Sequence, residues 1–150
     1  MASQYRTARK KIVDALVKEL KEIDGNFPYN SNVFNSVHGN MVFLDQIQEY
    51  PKICVVAGDE TREYQPNEFK WRFLSLDIRV YVEDYEDPQE VLALLMEDIE
   101  RVVDNNDVLT YDDTVSPKLT TTSLTLQSLS TDEGVLVPLG IGELSIECRY

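Results

Sequence analysis

The sequence predicts an α+β domain: a single layer of mostly antiparallel or mixed β-sheet with two amphipathic helices packed on one face. Three patterns carry that expectation. Two segments space their apolar residues at helical intervals, two others alternate apolar and polar residues, and the two kinds interleave along the chain. An alternating strand has one apolar face, so the helices must cover that face and leave the other polar.

The first helix is expected from about Tyr5 to Ile23. Ala8, Ile12, Ala15, Leu16, Leu20 and Ile23 share a stripe, while Arg9, Lys10, Lys11, Lys18 and Lys21 occupy other faces with Asp14, Glu19 and Glu22. Gly25 is the stop signal. From Asn26 to Asn40 the chain turns to Asn, Ser, Gly and Pro, the chemistry of turns, with a short strand expected around Val33 to Val37. Met41 to Glu49 follows neither period. Pro51 introduces the apolar run Ile53-Cys54-Val55-Val56-Ala57, a buried strand that Gly58-Asp59-Glu60 should end. Thr61 to Lys70 reads as a polar loop turning at Pro66-Asn67.

The clearest strand follows, with Leu74, Leu76, Ile78, Val80 and Val82 alternating with Ser75, Asp77, Arg79 and Tyr81. Asp87 is then a good N-cap, Pro88 suits the first helical position, and Glu90 completes a capping-box pattern. This second helix should run to about Val103 on a stripe of Val91, Leu92, Leu95, Met96, Ile99, Val102 and Val103, ended by Asp104-Asn105-Asn106-Asp107. Lys118 to Ser130 reads as a strand with Leu124 and Leu126 on one face, and Thr131-Asp132-Glu133-Gly134 as a turn. Pro138 to Gly142 is expected to be a loop or irregular lead-in. The last strand sets Leu144, Ile146, Cys148 and Tyr150 against Glu143, Ser145, Glu147 and Arg149, and is expected to lie at a sheet edge.

Residues 1–150 suit one domain with a real core, and the apolar fraction of 43% rules out disorder over the whole length. Against 14 basic residues stand 27 acidic ones, a formal charge of −13. Such a surface repels phosphate, which disfavours gripping nucleic acid or anionic membranes. No apolar run is long enough to span a bilayer, and Met1 to Lys11 lacks the apolar stretch of a secretory signal. Cys54 and Cys148 lie far apart in apolar runs and read as buried thiols of a reduced, intracellular compartment.

Motifs for catalysis are missing. His38 is the single histidine, set in a polar segment with no CxxC to complete a zinc site. Gly140-Ile141-Gly142 lacks a third glycine and precedes a strand, so it is no phosphate loop. Asp104 to Asp107 lacks the glycine and terminal glutamate of a calcium loop. The carboxylates sit in turns and on polar strand faces. No enzyme, cofactor or metal is expected.

The aromatic cluster Tyr64, Phe69, Trp71 and Phe73 says more. Phe69, Trp71 and Phe73 share the parity of Ser75, Asp77 and Arg79, opposite to the core row. Two readings stand: rings packed under a folded-over loop, or anchors of a subunit interface.

This layout resembles the tail terminator (tail completion) proteins of long-tailed bacteriophages. The likeness runs through Tyr50-Pro51-Lys52-Ile53-Cys54-Val55-Val56, Gly58-Asp59-Glu60, the strand Leu74 to Tyr81 and the helix opened by Asp87-Pro88. It continues in Leu129-Ser130-Thr131-Asp132-Glu133-Gly134, Pro138-Leu139-Gly140 and the closing strand. Residues 26–49 carry none of it. The resemblance implies a virion protein, assembled in the host cytoplasm, that forms a ring, usually a hexamer. Such a ring caps the head-proximal end of the tail tube, stops its polymerisation and docks the neck or head-completion protein. DNA passes through it without specific binding. Net negative charge suits that passage, and two acidic segments are candidates to line the channel: Glu60, Glu63 and Glu68, or Glu83, Asp84, Glu86 and Asp87. The alternatives are a small acidic adaptor or inhibitor that mimics nucleic acid toward a basic partner, and an enzyme on a ferredoxin-like sheet.

Overall fold

A computed structural model of the chain describes residues 7–150. Helix α1 spans Ala8–Leu20, with the Thr7 side chain accepting from the Lys10 amide as N-cap, so the expected start at Tyr5 lies outside the described residues. Its buried row is Ile12, Val13, Leu16 and Leu20, continued by Ile23 beyond the helix end. Helix α2 spans Pro88–Asn105. The Asp87 carboxylate accepts from the Glu90 amide, and Leu92, Leu95, Met96, Ile99, Val102 and Val103 turn inward.

The strands are β1 (Val37–His38), β2 (Lys52–Tyr64), β3 (Lys70–Glu83), β4 (Thr110–Asp112), β5 (Leu119–Thr120), β6 (Ser123–Thr131) and β7 (Leu139–Arg149). Five form one sheet in the order β1-β2-β3-β7-β6, parallel at β1-β2 and antiparallel elsewhere, while β4 and β5 make a separate pair. The α+β class and the one-sided cover follow the expected plan. Leu74, Leu76, Ile78, Val80 and Val82 are buried beside Leu144, Ile146 and Cys148 in register on β7, and the two helices close over them. Each large side chain fully buried there contributes about 1.5–3 kcal/mol.

At Gly140 a Cβ would meet Val82 of β3 at 2.9 Å and the Pro88 carbonyl of the second helix at 3.2 Å, and at Gly142 it would meet Met96 of that helix at 2.9 Å. Of the loop or irregular strand entry expected from Pro138 to Gly142, Leu139 onward is regular strand, its glycines serving close packing.

Several boundaries depart from the sequence reading. Gly58-Asp59-Glu60 does not end the second strand. A bulge between Ala57 and Glu60 carries the chain through, and pairing resumes from Glu60↔Leu74 to Tyr64↔Lys70. Arg9 holds that bulge by donating to the Gly58 carbonyl. The expected polar loop shrinks to a turn of residues 65–69, where Asn67 and Glu68 both take left-handed backbone angles. The first short strand is Val37–His38 instead of Val33 to Val37, although Val33 is buried. A bend at Thr121 and Thr122 divides the expected Lys118 to Ser130 strand, and β4 had no pattern to announce it.

The carboxy-terminal strand is the main correction. β7 lies inside the sheet between β3 and β6, because both faces of its hydrogen-bonding ladder are used. Among the described residues the edge on that side is β6, and β1 forms the other.

Candidate assembly surface

The β2–β3 hairpin projects past the rest of the sheet. Tyr150 donates its amide to the Arg72 carbonyl, and among the described residues no third strand pairs beside Glu63↔Trp71, Tyr64↔Lys70 and the turn. Parity sorts the hairpin into two faces. On the outer face Trp71 packs edge-on to Phe69 with ring centroids 4.8 Å apart, and the Arg149 guanidinium lies 4.2 Å from the Trp71 ring. Phe73 sits on the same face, half-buried, while Tyr64 and Phe69 are exposed. None of the four aromatic candidates enters the core. Tyr64 points to the helix side of the hairpin, apart from the other three.

The bulge redirects Glu60 as well. Glu60 now shares the helix-side face with Leu74; its side chain is 4% exposed, ion-paired with Arg62, and accepts from the Tyr150 hydroxyl at 2.8 Å. That bond and the burial of the ring push the Tyr150 phenol up to about 12, with burial the larger cause. Glu63 and Glu68 stay exposed, Glu63 accepting from the Gln65 side-chain Nε2. The second acidic segment lies at the opposite end of the sheet. Glu83, Glu86 and Asp87 are exposed there and Asp84 is half-buried, its carboxylate accepting from the Glu86 amide. The structure thus keeps the two acidic segments apart, at opposite ends of β3.

Two acids that the sequence reading did not single out are structural. Asp98, fully buried on α2, accepts from the Asn30 amide at 2.9 Å and the Ser31 amide at 2.8 Å. It ties the turn-rich 26–36 segment to the helix. Its spacing from Leu95 and Val102 was the available signal, since it falls within the apolar stripe. Asp112 accepts from Lys11 Nζ at 2.7 Å and from the Thr114 amide and hydroxyl, which hold its carboxyl down at about 2. A depressed folded-state pKa stabilises above the ordinary 3.8 and is lost as pH falls toward 2. The melting-temperature gap between wild type and Asp112→Asn should therefore close between pH 4 and pH 2; a gap that persists there would rule out this ion pair as the cause.

Chemistry is sparse elsewhere. His38 lies in β1 with its Nε2 buried and unbonded, and burial, then Lys52 and Lys21, lower its pKa. Both cysteines are free and buried. They lie on opposite faces of the sheet, Cys54 aligned with Arg79 and Cys148 with Leu74, and burial pushes the Cys148 thiol up to about 12. Among the described residues no group of three or more His, Cys, Asp or Glu is placed to hold a metal ion. No helix of the described residues is long and apolar enough to cross a membrane.

The surface thus offers a one-sided sheet, a projecting hairpin and, among the described residues, a β6 edge that pairs with β7 alone. Residues 6–150 match the profile of the Bacteriophage Tail Tube Terminator Protein family, and the chain belongs to that family. It is a phage virion structural protein. Among curated proteins it is 37% identical over 151 residues to the tail tube terminator protein of Escherichia phage T5, covering 95% of this chain and 92% of that one. Among solved structures, a chain from the virion of a native gene transfer agent particle shares the fold with a TM-score of 0.56 at 10% identity, over 92% of each chain.

Proposed function

We propose that copies of this chain close into a ring, of six subunits, on the head-proximal end of the tail tube. The ring stops tube polymerisation and offers its other face to the neck or head-completion protein. The match to tail tube terminators along nearly the whole chain carries this reading. The placement of hairpin and open edge supports it, since a head-to-tail contact between two different patches generates a closed ring when its rotation allows. No catalytic step is part of the role.

Six copies carry 6 × 13 = 78 formal negative charges. Part of that charge lines the channel, where repulsion of phosphate lets the duplex pass without sticking. Glu63 and Glu68 or Glu83, Asp84, Glu86 and Asp87 fill that place; Glu60 is withdrawn because Arg62 and Tyr150 already hold it. Crowded carboxylates oppose closure, and salt screens them over ~8 Å at physiological strength. Light scattering across a salt series should find the ring mass at moderate salt, a smaller species at very low salt, and no duplex-DNA binding throughout. A monomer at every salt concentration would sink the proposal and favour the nucleic-acid-mimicking adaptor; tight DNA binding would sink both readings.

A further inference from the structure

We propose that the basic, helix-side face of the β2–β3 hairpin of one copy docks into the acid-rimmed groove between α2 and the free edge of β6 on the next copy. The inference rests on the ring reading and names the two surfaces that make its contact.

The hairpin face is unusual in this chain. Arg62 stands directly across from Arg72, and Tyr64 across from Lys70. Like charges facing each other across a ladder are unfavourable. Glu60 offsets Arg62, and the Tyr150 ring receives Arg72 at 5.5 Å, but among the described residues no acid pairs with Lys70, which lies 5.6 Å from the Tyr64 ring. Counting Arg62, Lys70 and Arg72 against Glu60 gives 3 − 1 = +2 for a face of a chain whose total is −13. The acids Glu63 and Glu68 lie off this face, on the opposite side and in the turn.

The groove is its chemical complement. A cavity of about 620 Å³ runs between α2 and β6, lined by Ala93, Met96 and Leu129 and rimmed by Glu97, Glu100 and Glu133. Leu129 is 48% exposed in the floor. From Asp87 to Asp104, helix α2 and its cap carry six acids and one arginine, a formal −5.

β6 itself calls for a cover. Among the described residues it pairs with β7 alone, and Ser123–Thr131 holds no charge and no proline. Those are the usual devices that keep an edge strand from pairing with another chain. Only a register shift between Leu126 and Ser128 interrupts it. An edge so unguarded is what a neighbouring copy would cover.

The positions also suit a head-to-tail contact. Thr131 aligns through Gly142 with Val80, ten residues up β3 from Lys70, or about 33 Å at ~3.3 Å per residue. Groove and hairpin thus lie on the same face but at opposite ends and toward opposite edges of the sheet, too far apart to meet within one copy. With the hairpin given to the neighbour, the acidic turn Glu83 to Asp87 is left to line the channel.

Charge exchange tests the pairing. Lys70→Glu and Glu97→Lys each should weaken ring formation about tenfold or more, as light scattering reads it. An equimolar mixture of K70E and E97K chains should recover the ring mass, because every contact then joins one base to one acid, alternately native and swapped. A Tyr64→Cys, Leu129→Cys double variant should yield a ladder of cross-linked copies on oxidation, the native thiols being buried. Wild type that stays monomeric defeats the ring reading itself. A wild-type ring that tolerates both reversals, or singles that fail to complement, overturns this interface and leaves the ring standing.

Discussion

Leu76→Asp is expected to abolish folding. Leu76 is fully buried at the centre of β3, aligned with Ala57 on β2 and Ile146 on β7 beneath the helices. A carboxylate there has no cation or donor within the apolar cluster, so it must be buried unpaired or protonated. Either costs about 4 kcal/mol or more, against a total stability of roughly 5–15 kcal/mol for a domain. Soluble yield and far-ultraviolet circular dichroism read the result. Ser128→Asp, exposed on β6, is the control and should change stability by no more than ~0.5 kcal/mol. A folded, monodisperse L76D protein at wild-type yield would mean that the inward row is misassigned.

Legibility tracked periodicity. Where one face alone is buried, as along Leu74 to Val82 and Leu144 to Cys148, alternation marks strand and inward face together, and both were right in the sequence. The second helix was equally plain because its N-cap, proline and stripe agree with one another. Gly58 misled because a glycine with acids after it means a turn in most contexts, whereas here it sits in a bulge that only its partner strand defines. The same bulge moved Glu60 from the outer face to the inner one. Sequence parity could not follow that change.

Strand order was also out of reach. The alternation in Glu143 to Tyr150 is the same for an edge strand and for an inner strand of a half-covered sheet, so the pattern held no sign of β6 beyond it. The aromatic cluster was half legible. Parity correctly set Trp71 and Phe73 off the core, while Tyr64 belongs to the strand across the turn and faces the other way. Asp98 shows the reverse case: its place in an apolar stripe was visible, yet its partners are the amides of a turn far away in sequence.

Trp71→Ala is expected to weaken the ring strongly while sparing the fold. Trp71 touches Phe69 and Arg149 and lies outside the apolar cluster, so the single chain should lose only about 1 kcal/mol. Assembly depends on it more. Two cross-strand residue pairs and a five-residue turn project without a third strand among the described residues, and a lone hairpin of that size is marginal in water. The Trp71 ring, held between Phe69 and Arg149, ties the projection to the end of β7. Without it, docking must also order the hairpin, at about 1 kcal/mol per residue fixed, so a penalty near 2 kcal/mol per contact is a fair expectation. That equals roughly a 30-fold weaker contact, at about 1.4 kcal/mol per factor of ten. Chemical denaturation of the dissociated chain and light scattering of the ring, run side by side, separate the two effects. A variant that unfolds outright would place Trp71 among the core-packing residues; one that assembles as tightly as wild type would remove the hairpin's stiffness from the account of assembly.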